Sequence, residues 1–257
     1  MIVKDQLNRE LFIPAPPKRI VSLVPSQTEL LIDLGLKSNV VGITKFCVHP
    51  NDLRKEIKVV GGTKTVHYHK IEALQPDLII CNKEENTLEM VQELAKICPV
   101  WVSDISNLDD SLDMITKLGA LLGVANKASE LRASIASEAK AFQQFMQGRP
   151  LKKVAYLIWK NPYMAVGVDT FIHSMLKMNQ FQNCITEVRY PQVKLTELKQ
   201  AELVLLSSEP YPFKLENVHD LQTQLGVPVK LVDGEYFSWH GSRLRKAFDY
   251  FKTLHNL

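Results

Sequence analysis

Apolar residues recur at Ala128, Leu131, Ile135, Ala139, Phe142 and Met146 in steps of three and four, which places them on one stripe of a helix. The opposite face carries Lys127, Arg132, Glu138, Lys140 and Gln144, and breakers stand on both sides at Gly123 and Gly148-Arg149-Pro150. The spacing predicts a helix from about Asn126 to Gln147, about 33 Å long at about 1.5 Å per residue. A rod of that length can serve two small domains.

Shorter periods flank it. Arg19 to Val24 reads as a strand, and Pro25-Ser26-Gln27-Thr28-Glu29 opens a helix in which Ser26 as N-cap and Glu29 three residues on make a capping box. Leu30, Leu31 and Leu34 supply the buried face before Gly35 stops it, and Val40-Val41-Gly42-Ile43 is the next strand. Strand, helix and strand in this order imply a parallel sheet. Gly61 to Thr65 is a tight turn, and a helix is expected from about Lys70 to Gln75. A strand then ends at Cys81, followed by a helix at about Thr87 to Lys96, a strand at Val100 to Val102 and a helix from about Leu108 to Leu122.

Beyond the long helix, Lys153 to Trp159 is a strand, Met164 to Val166 an extended piece, and Thr170 to Asn179 a helix. Residues 71–104 and 198–233 repeat one order: short helix, strand, acidic loop, helix, strand, Asp. The fold class is therefore α/β, with two similar parallel-sheet lobes at 1–124 and 149–257, bridged by the helix at 125–148. The mouth between the lobes is the expected ligand cleft.

Composition narrows the classes. With 257 residues, 46% hydrophobic, 23% charged and a net charge of +3, the chain is an ordinary globular protein with no electrostatic case for nucleic acid. No segment is apolar for long enough to span a bilayer, and Met1 to Glu10 carries acidic residues in place of an apolar leader. As written, the chain is expected in the cytoplasm; removal of a leader before the numbering would make it periplasmic or extracellular. The scattered Cys47, Cys81, Cys98 and Cys184 read as free thiols, Cys81 and Cys98 as buried ones.

Strand ends and the loops after them supply the candidate chemistry. They are Lys45, Phe46, His49, Lys64 and His67 in the first lobe, and Trp159, Tyr163, Tyr190, Tyr236, Phe237, Trp239, His240 and Arg243 in the second. Tyr236, Phe237, Trp239 and His240 fall within five residues, more than a short loop is expected to bury. Such rings suit a broad conjugated or macrocyclic ligand, and Arg243 and the lysines suit carboxylate or phosphate on it. Packing of Phe237 and Trp239 under the last helix is the competing reading, as is a protein-contact patch around Trp239. The histidines form no metal motif, although histidines from separate loops can meet at a metal. The chain carries no nucleophile elbow, phosphate-binding loop or dinucleotide fingerprint.

The stretch from Pro17 to Leu30, Val41-Gly42-Ile43, Val60-Gly61-Gly62-Thr63, Ile71 to Ile80, and Asn161-Pro162-Tyr163 with Gly167 resemble the substrate-binding proteins of ABC importers. The likeness is to members for vitamin B12, haem and iron–siderophore complexes, with the B12 binders nearest in plan and length. It covers about residues 17 to 254 and implies a non-catalytic binding protein with two lobes on a stiff backbone helix. It implies ligand contacts at Phe46, Thr63, Trp159, Tyr163, Tyr190, Tyr236 and Phe237, a cobalamin, haem or ferric siderophore as ligand, and no covalently bound cofactor. It also implies docking on importer membrane subunits through one acidic residue per lobe. His69 stands at the matching position in the first lobe, and Thr196 beside Glu197 in the second. The alternative is a cytosolic chelate-handling protein or chelatase-like enzyme working through His49, His67 and His240.

Overall fold

The computed structural model describes residues 1–255. The chain forms two compact units, the first from Met1–Ile105, Asp109–Ala136 and His240–Arg245. The second comprises Ser106–Leu108, Ser137–Trp239 and the described residues from Lys246 on.

The first unit opens with an antiparallel hairpin, β1 (Ile2–Lys4) and β2 (Glu10–Phe12), where the sequence reads only as a polar lead. Strands β3 (Ile20–Ser22), β4 (Val40–Ile43), β5 (Lys58–Val59), β6 (Leu78–Asn82) and β7 (Val100–Ser103) follow. Between and after them run α1 (Pro25–Asp33), α2 (Leu53–Glu56), α3 (Tyr68–Ala73), α4 (Leu88–Leu94) and α5 (Leu108–Leu121). The five strands are parallel in the order β5-β4-β3-β6-β7. Val21, Leu23, Ile79, Cys81, Val100 and Val102 form its core with Ile71 and Leu94. Of the cysteines, all four free, Cys47 and Cys81 are buried, whereas Cys98 is half-buried in the turn before β7 rather than in the core as expected.

The capping box does not form. Val24 is the N-cap of α1 and Pro25 takes the first helical position, where its missing N–H and fixed φ suit the helix. Ser26 is thereby drawn inside and buried, and Glu29 is free to bind Arg243.

Helix α6 (Ala125–Met146) gives its first half to the first unit and its second half to the other. All six residues of the predicted stripe are buried, from Ile135 and Phe142 at 0% to Leu131 at 9% exposure, while Lys127, Arg132, Lys140 and Gln144 face solvent.

The second unit contains β8 (Lys152–Trp159), β9 (Met164–Ala165), β10 (Phe181–Asn183), β11 (Leu203–Ser207) and β12 (Val229–Val232). Its helices are α7 (Phe171–Met178), α8 (Leu195–Leu198), α9 (Leu215–Leu225), α10 (Gly234–Ser238) and α11 (Leu244–Leu254), the last beginning with residues of the first unit. The parallel order is β10-β8-β11-β12, with β9 antiparallel on β8. The sequence repeat is now structural: α3–β6–α4–β7 and α8–β11–α9–β12 have the same order, and each strand pair is parallel.

Candidate functional site

In an open parallel sheet the loops beyond the carboxyl ends can reach a ligand, most of all where the strand order reverses direction. In the first unit the order reverses between β3 and β6, and in the second between β8 and β11.

In the second unit that point carries aromatic rings. Trp159, the last residue of β8, is 40% exposed although its strand is otherwise buried from Val154 on, and its indole meets Tyr211 edge-on at 5.7 Å. Tyr211 comes from the loop after β11 and packs in turn on the buried Phe213 at 4.7 Å. Tyr211 is a residue that sequence reasoning missed. The signal was present in Pro210-Tyr211-Pro212-Phe213, two aromatic residues alternating with two prolines after a strand end. Nearby in sequence, Tyr163 is half-buried against the core of this unit, and Tyr190 lies half-buried with the Arg189 guanidinium 5.8 Å from its ring.

The first unit brings Phe46, Thr63 and Lys64 together. Phe46 is 48% exposed on the loop after β4, with the Lys45 ammonium 5.0 Å from its ring centre. The ring lies over the 61–65 turn, since a Cβ added at Gly62 would stand 3.3 Å from Phe46 Cε2. Thr63 accepts a hydrogen bond at its carbonyl from Asn86 Nδ2 at 2.8 Å, and exposed Lys64 donates to the Glu84 carbonyl.

Two buried, uncharged hydrogen-bonded clusters stand at the strand ends of this unit. Thr28 Oγ1 donates to Ser22 Oγ at 2.7 Å, Asn82 Nδ2 to Ser103 Oγ at 2.9 Å, and Gln27 Nε2 also donates to Ser103 Oγ. Cys47 Sγ lies 3.2 Å from Thr28 Oγ1 and 3.3 Å from Thr44 Oγ1, and burial pushes its thiol pKa up. Bonds of this kind hold strand ends and loops in one arrangement.

The segment from Gly234 to Arg243 corrects the sequence reading. It begins with the helical turn α10, which sends neighbouring side chains to different sides and so buries more than an extended loop could. Phe237 is fully buried, packed on Tyr156 at 5.1 Å and Phe251 at 4.7 Å, and Trp239 and His240 are 7% exposed. Trp239 Nε1 and Ser238 Oγ both donate to Glu209 Oε1, at 2.9 and 2.6 Å. Arg243 binds both carboxylate oxygens of Glu29, at 2.9 and 2.7 Å, with only 11% of its side chain exposed. Four of the predicted ligand residues, Phe237, Trp239, His240 and Arg243, thus belong to internal packing. Tyr236 is half-buried and stacked on Tyr250 at 4.6 Å.

Among the described residues no group of three or more His, Cys, Asp or Glu could hold a metal ion. His49 and His67 belong to the loops of the first unit, and burial lowers the pKa of His240 to about 4. Its unfolded value is about 6.5, so between those values the unfolded chain binds a proton that the native chain does not. Stability should fall as pH drops from about 6.5 to about 4, by on the order of 3 kcal/mol for His240. Half-buried His255, also lowered to about 4 by burial and then by Arg149, Lys152 and Lys230, acts in the same direction. Urea midpoints at pH 7 and 4.5 should therefore lie closer together in His240→Gln than in wild type; equal separations would contradict the assignment.

The sequence matches the periplasmic binding protein family over residues 20–202. The chain belongs to that family. An uncharacterised ABC transporter substrate-binding lipoprotein of Bacillus subtilis (strain 168) is 29% identical over 193 residues, which make up 72% of this chain and 61% of the lipoprotein. The vitamin B12-binding protein of Pectobacterium carotovorum subsp. carotovorum (strain PC1) is 24% identical over 241 residues, 91% of this chain and 86% of its own. In structure, the periplasmic vitamin B12 binding protein of Vibrio cholerae superposes with a TM-score of 0.79 at 19% identity, covering 95% of this chain and all (100%) of the other. A periplasmic heme binding protein from Pseudomonas aeruginosa gives 0.79 at 20% identity, covering 93% and 92%. The structural likenesses establish a shared periplasmic binding protein fold, and the named sequence relatives are binding proteins rather than enzymes.

Proposed function

We propose that this chain is the substrate-binding component of an ABC importer and that its ligand is a broad metal chelate: a corrinoid, haem or an iron–siderophore complex. The observation that carries this reading is the Trp159–Tyr211 pair at the reversal of the second sheet, an exposed aromatic surface on a rigid strand end. Exposed Phe46 offers a second such face at the first sheet, beside Thr63 and Lys64. Tyr163, Tyr190 and Tyr236 complete the proposed contacts. Large flat rings supply contact area at little conformational cost, and a conjugated macrocycle or chelate uses it well. The vitamin B12-binding relative supports the corrinoid part of this range, and the lipoprotein relative and the periplasmic binding protein family support a place outside the cytoplasmic membrane.

Docking on importer membrane subunits would use the surfaces of α3 and α8, where His69, Thr196 and Glu197 are exposed. With His69 at the first, that contact would depend less on charge steering than an acidic residue would allow. No helix among the described residues is long and apolar enough to cross a membrane.

Titration of the protein with cyanocobalamin, haem and a ferric catecholate, followed by tryptophan quenching, tests the reading. One of them should bind below micromolar concentration, and Trp159→Ala should weaken it roughly 30-fold, the equivalent of about 2 kcal/mol for a central aromatic anchor. Absence of binding by all three up to high micromolar would reject the proposal.

A further inference from the structure

The reversal point of the first sheet carries a charged residue that the aromatic reading does not use. The loop after β6 holds Glu85, in the place where the second unit's loop after β11 carries Glu209 and Tyr211. This loop is pinned on several sides. Asn82 Oδ1 accepts from the backbone N–H groups of Glu84 at 2.9 Å and Glu85 at 3.1 Å, and the Asn82 N–H donates to Asn86 Oδ1 at 2.8 Å. Asn86 Nδ2 reaches the carbonyls of Thr63 at 2.8 Å and Leu23 at 3.4 Å, tying the loop to the 61–65 turn and to the end of the neighbouring β3. The Glu85 backbone is therefore held beside Thr63 and Lys64 before any ligand arrives.

Its carboxyl takes a hydrogen bond from the Thr63 hydroxyl and is half-buried. The titratable groups facing it are the Lys64 ammonium, the neighbouring Glu84 carboxylate and the neutral Cys47 thiol across the loop after β4. Burial outweighs the attraction of Lys64 and the Thr63 bond, so the pKa of Glu85 is raised. Lys64 is itself bonded to the Glu84 carbonyl. A loop that needed only to close could carry an uncharged residue here and avoid desolvating a carboxylate. A carboxylate kept in this place gains from an N–H donor and is repelled by a second anion.

We infer that Glu85 is a specificity-determining residue that accepts a hydrogen bond from an uncharged N–H donor, such as a primary amide, on the rim of the ligand and disfavours a rim of carboxylates. This deepens the proposed binding function and rests on it. It separates chelates by their edges, amide against propionate, where the aromatic rings read only their faces.

The test titrates the full chain, as wild type, Glu85→Gln and Glu85→Ala, with cyanocobalamin, whose rim carries amides, and with haem, whose rim carries propionates, at pH 5.5 and pH 8. Wild type should prefer cyanocobalamin at pH 8, and the preference should narrow as the pH is lowered towards 5.5, because Glu85 with its raised pKa takes up a proton earlier than an ordinary carboxylate, and its protonated form no longer repels a propionate and can donate to it. Glu85→Ala should shift the ratio of the two affinities about tenfold towards haem. Glu85→Gln, nearly the same in shape and able to accept through its carbonyl, should keep cyanocobalamin binding while the ratio loses its pH dependence. An affinity ratio that is the same in wild type and both variants at both pH values would overturn the role of Glu85 and leave the binding function standing. Wild type binding neither ligand would overturn both, and would be seen before any variant is compared.

Discussion

Phe142→Ala should lower the stability of the second unit by about 3–5 kcal/mol, the usual range for a buried phenylalanine. The side chain is fully buried on the second half of α6, with ring centres of Phe248, Phe251 and Phe145 at 5.7, 5.8 and 6.1 Å. Phe248 and Phe251 sit on α11, whose first residue Leu244 is buried, as are His240 to Ser242 before it, so this helix is held at its start, away from the ring. Helices held in that way cannot collapse freely into the space left behind, and the cavity contribution stays near its full value. Urea unfolding followed by tryptophan fluorescence measures the effect, since both Trp159 and Trp239 belong to this unit. A loss below about 1 kcal/mol would mean that the site relaxes, contrary to the packing described.

A second large loss is expected at Asp5, in a stretch that sequence alone marks only as polar. Its carboxylate is completely buried and accepts from the backbone N–H groups of Leu7 and Arg9, both at 2.9 Å, and of Val102 at 3.3 Å. Arg9 adds Nε at 2.8 Å and Nη2 at 2.6 Å, and the same Nη2 also donates to the Val100 carbonyl at 2.8 Å. The turn of the β1–β2 hairpin is thus fastened to β7, the edge strand of the first sheet. Asp5→Ala would leave these donors without their acceptor, including a guanidinium that is only 36% exposed. Removing one partner of a buried ion pair costs about 3–5 kcal/mol; with Arg9 able to turn towards water, about 3 is expected. The loss should appear in the first unit, with faster amide exchange along β7. Exchange at wild-type rate there would reject the fastening role.

The predictions of intermediate size follow the same division between local pattern and distant partner. Trp159 was found from its position at a strand end, but that it meets Tyr211, 52 residues away, depends on β8 and β11 being neighbours. The binding role proposed for Glu85 is likewise invisible in the linear order, where Glu84-Glu85 reads as part of an acidic loop. It acquires a meaning only through Asn86 and Thr63, which place the loop at the reversal of strand order.

By itself the sequence determined whatever repeats at short range. The stripe of α6, the strands β4 and β8 to within a residue, and the duplicated α3–β6–α4–β7 plan were legible because helix and strand periods are properties of neighbouring residues. Tertiary structure decided which polar and aromatic groups are spoken for. Arg243 and Glu29 are 214 positions apart, and only the folded chain turns a presumed ligand cation into an internal ion pair. In the same way α10, too short to announce itself by periodicity, folds Phe237 and Trp239 inward, so that of the predicted aromatic contacts Phe46 and Trp159 are the exposed ones. The physical reason is that burial and hydrogen-bond partnership are set by packing across the whole chain, for which local spacing carries no record.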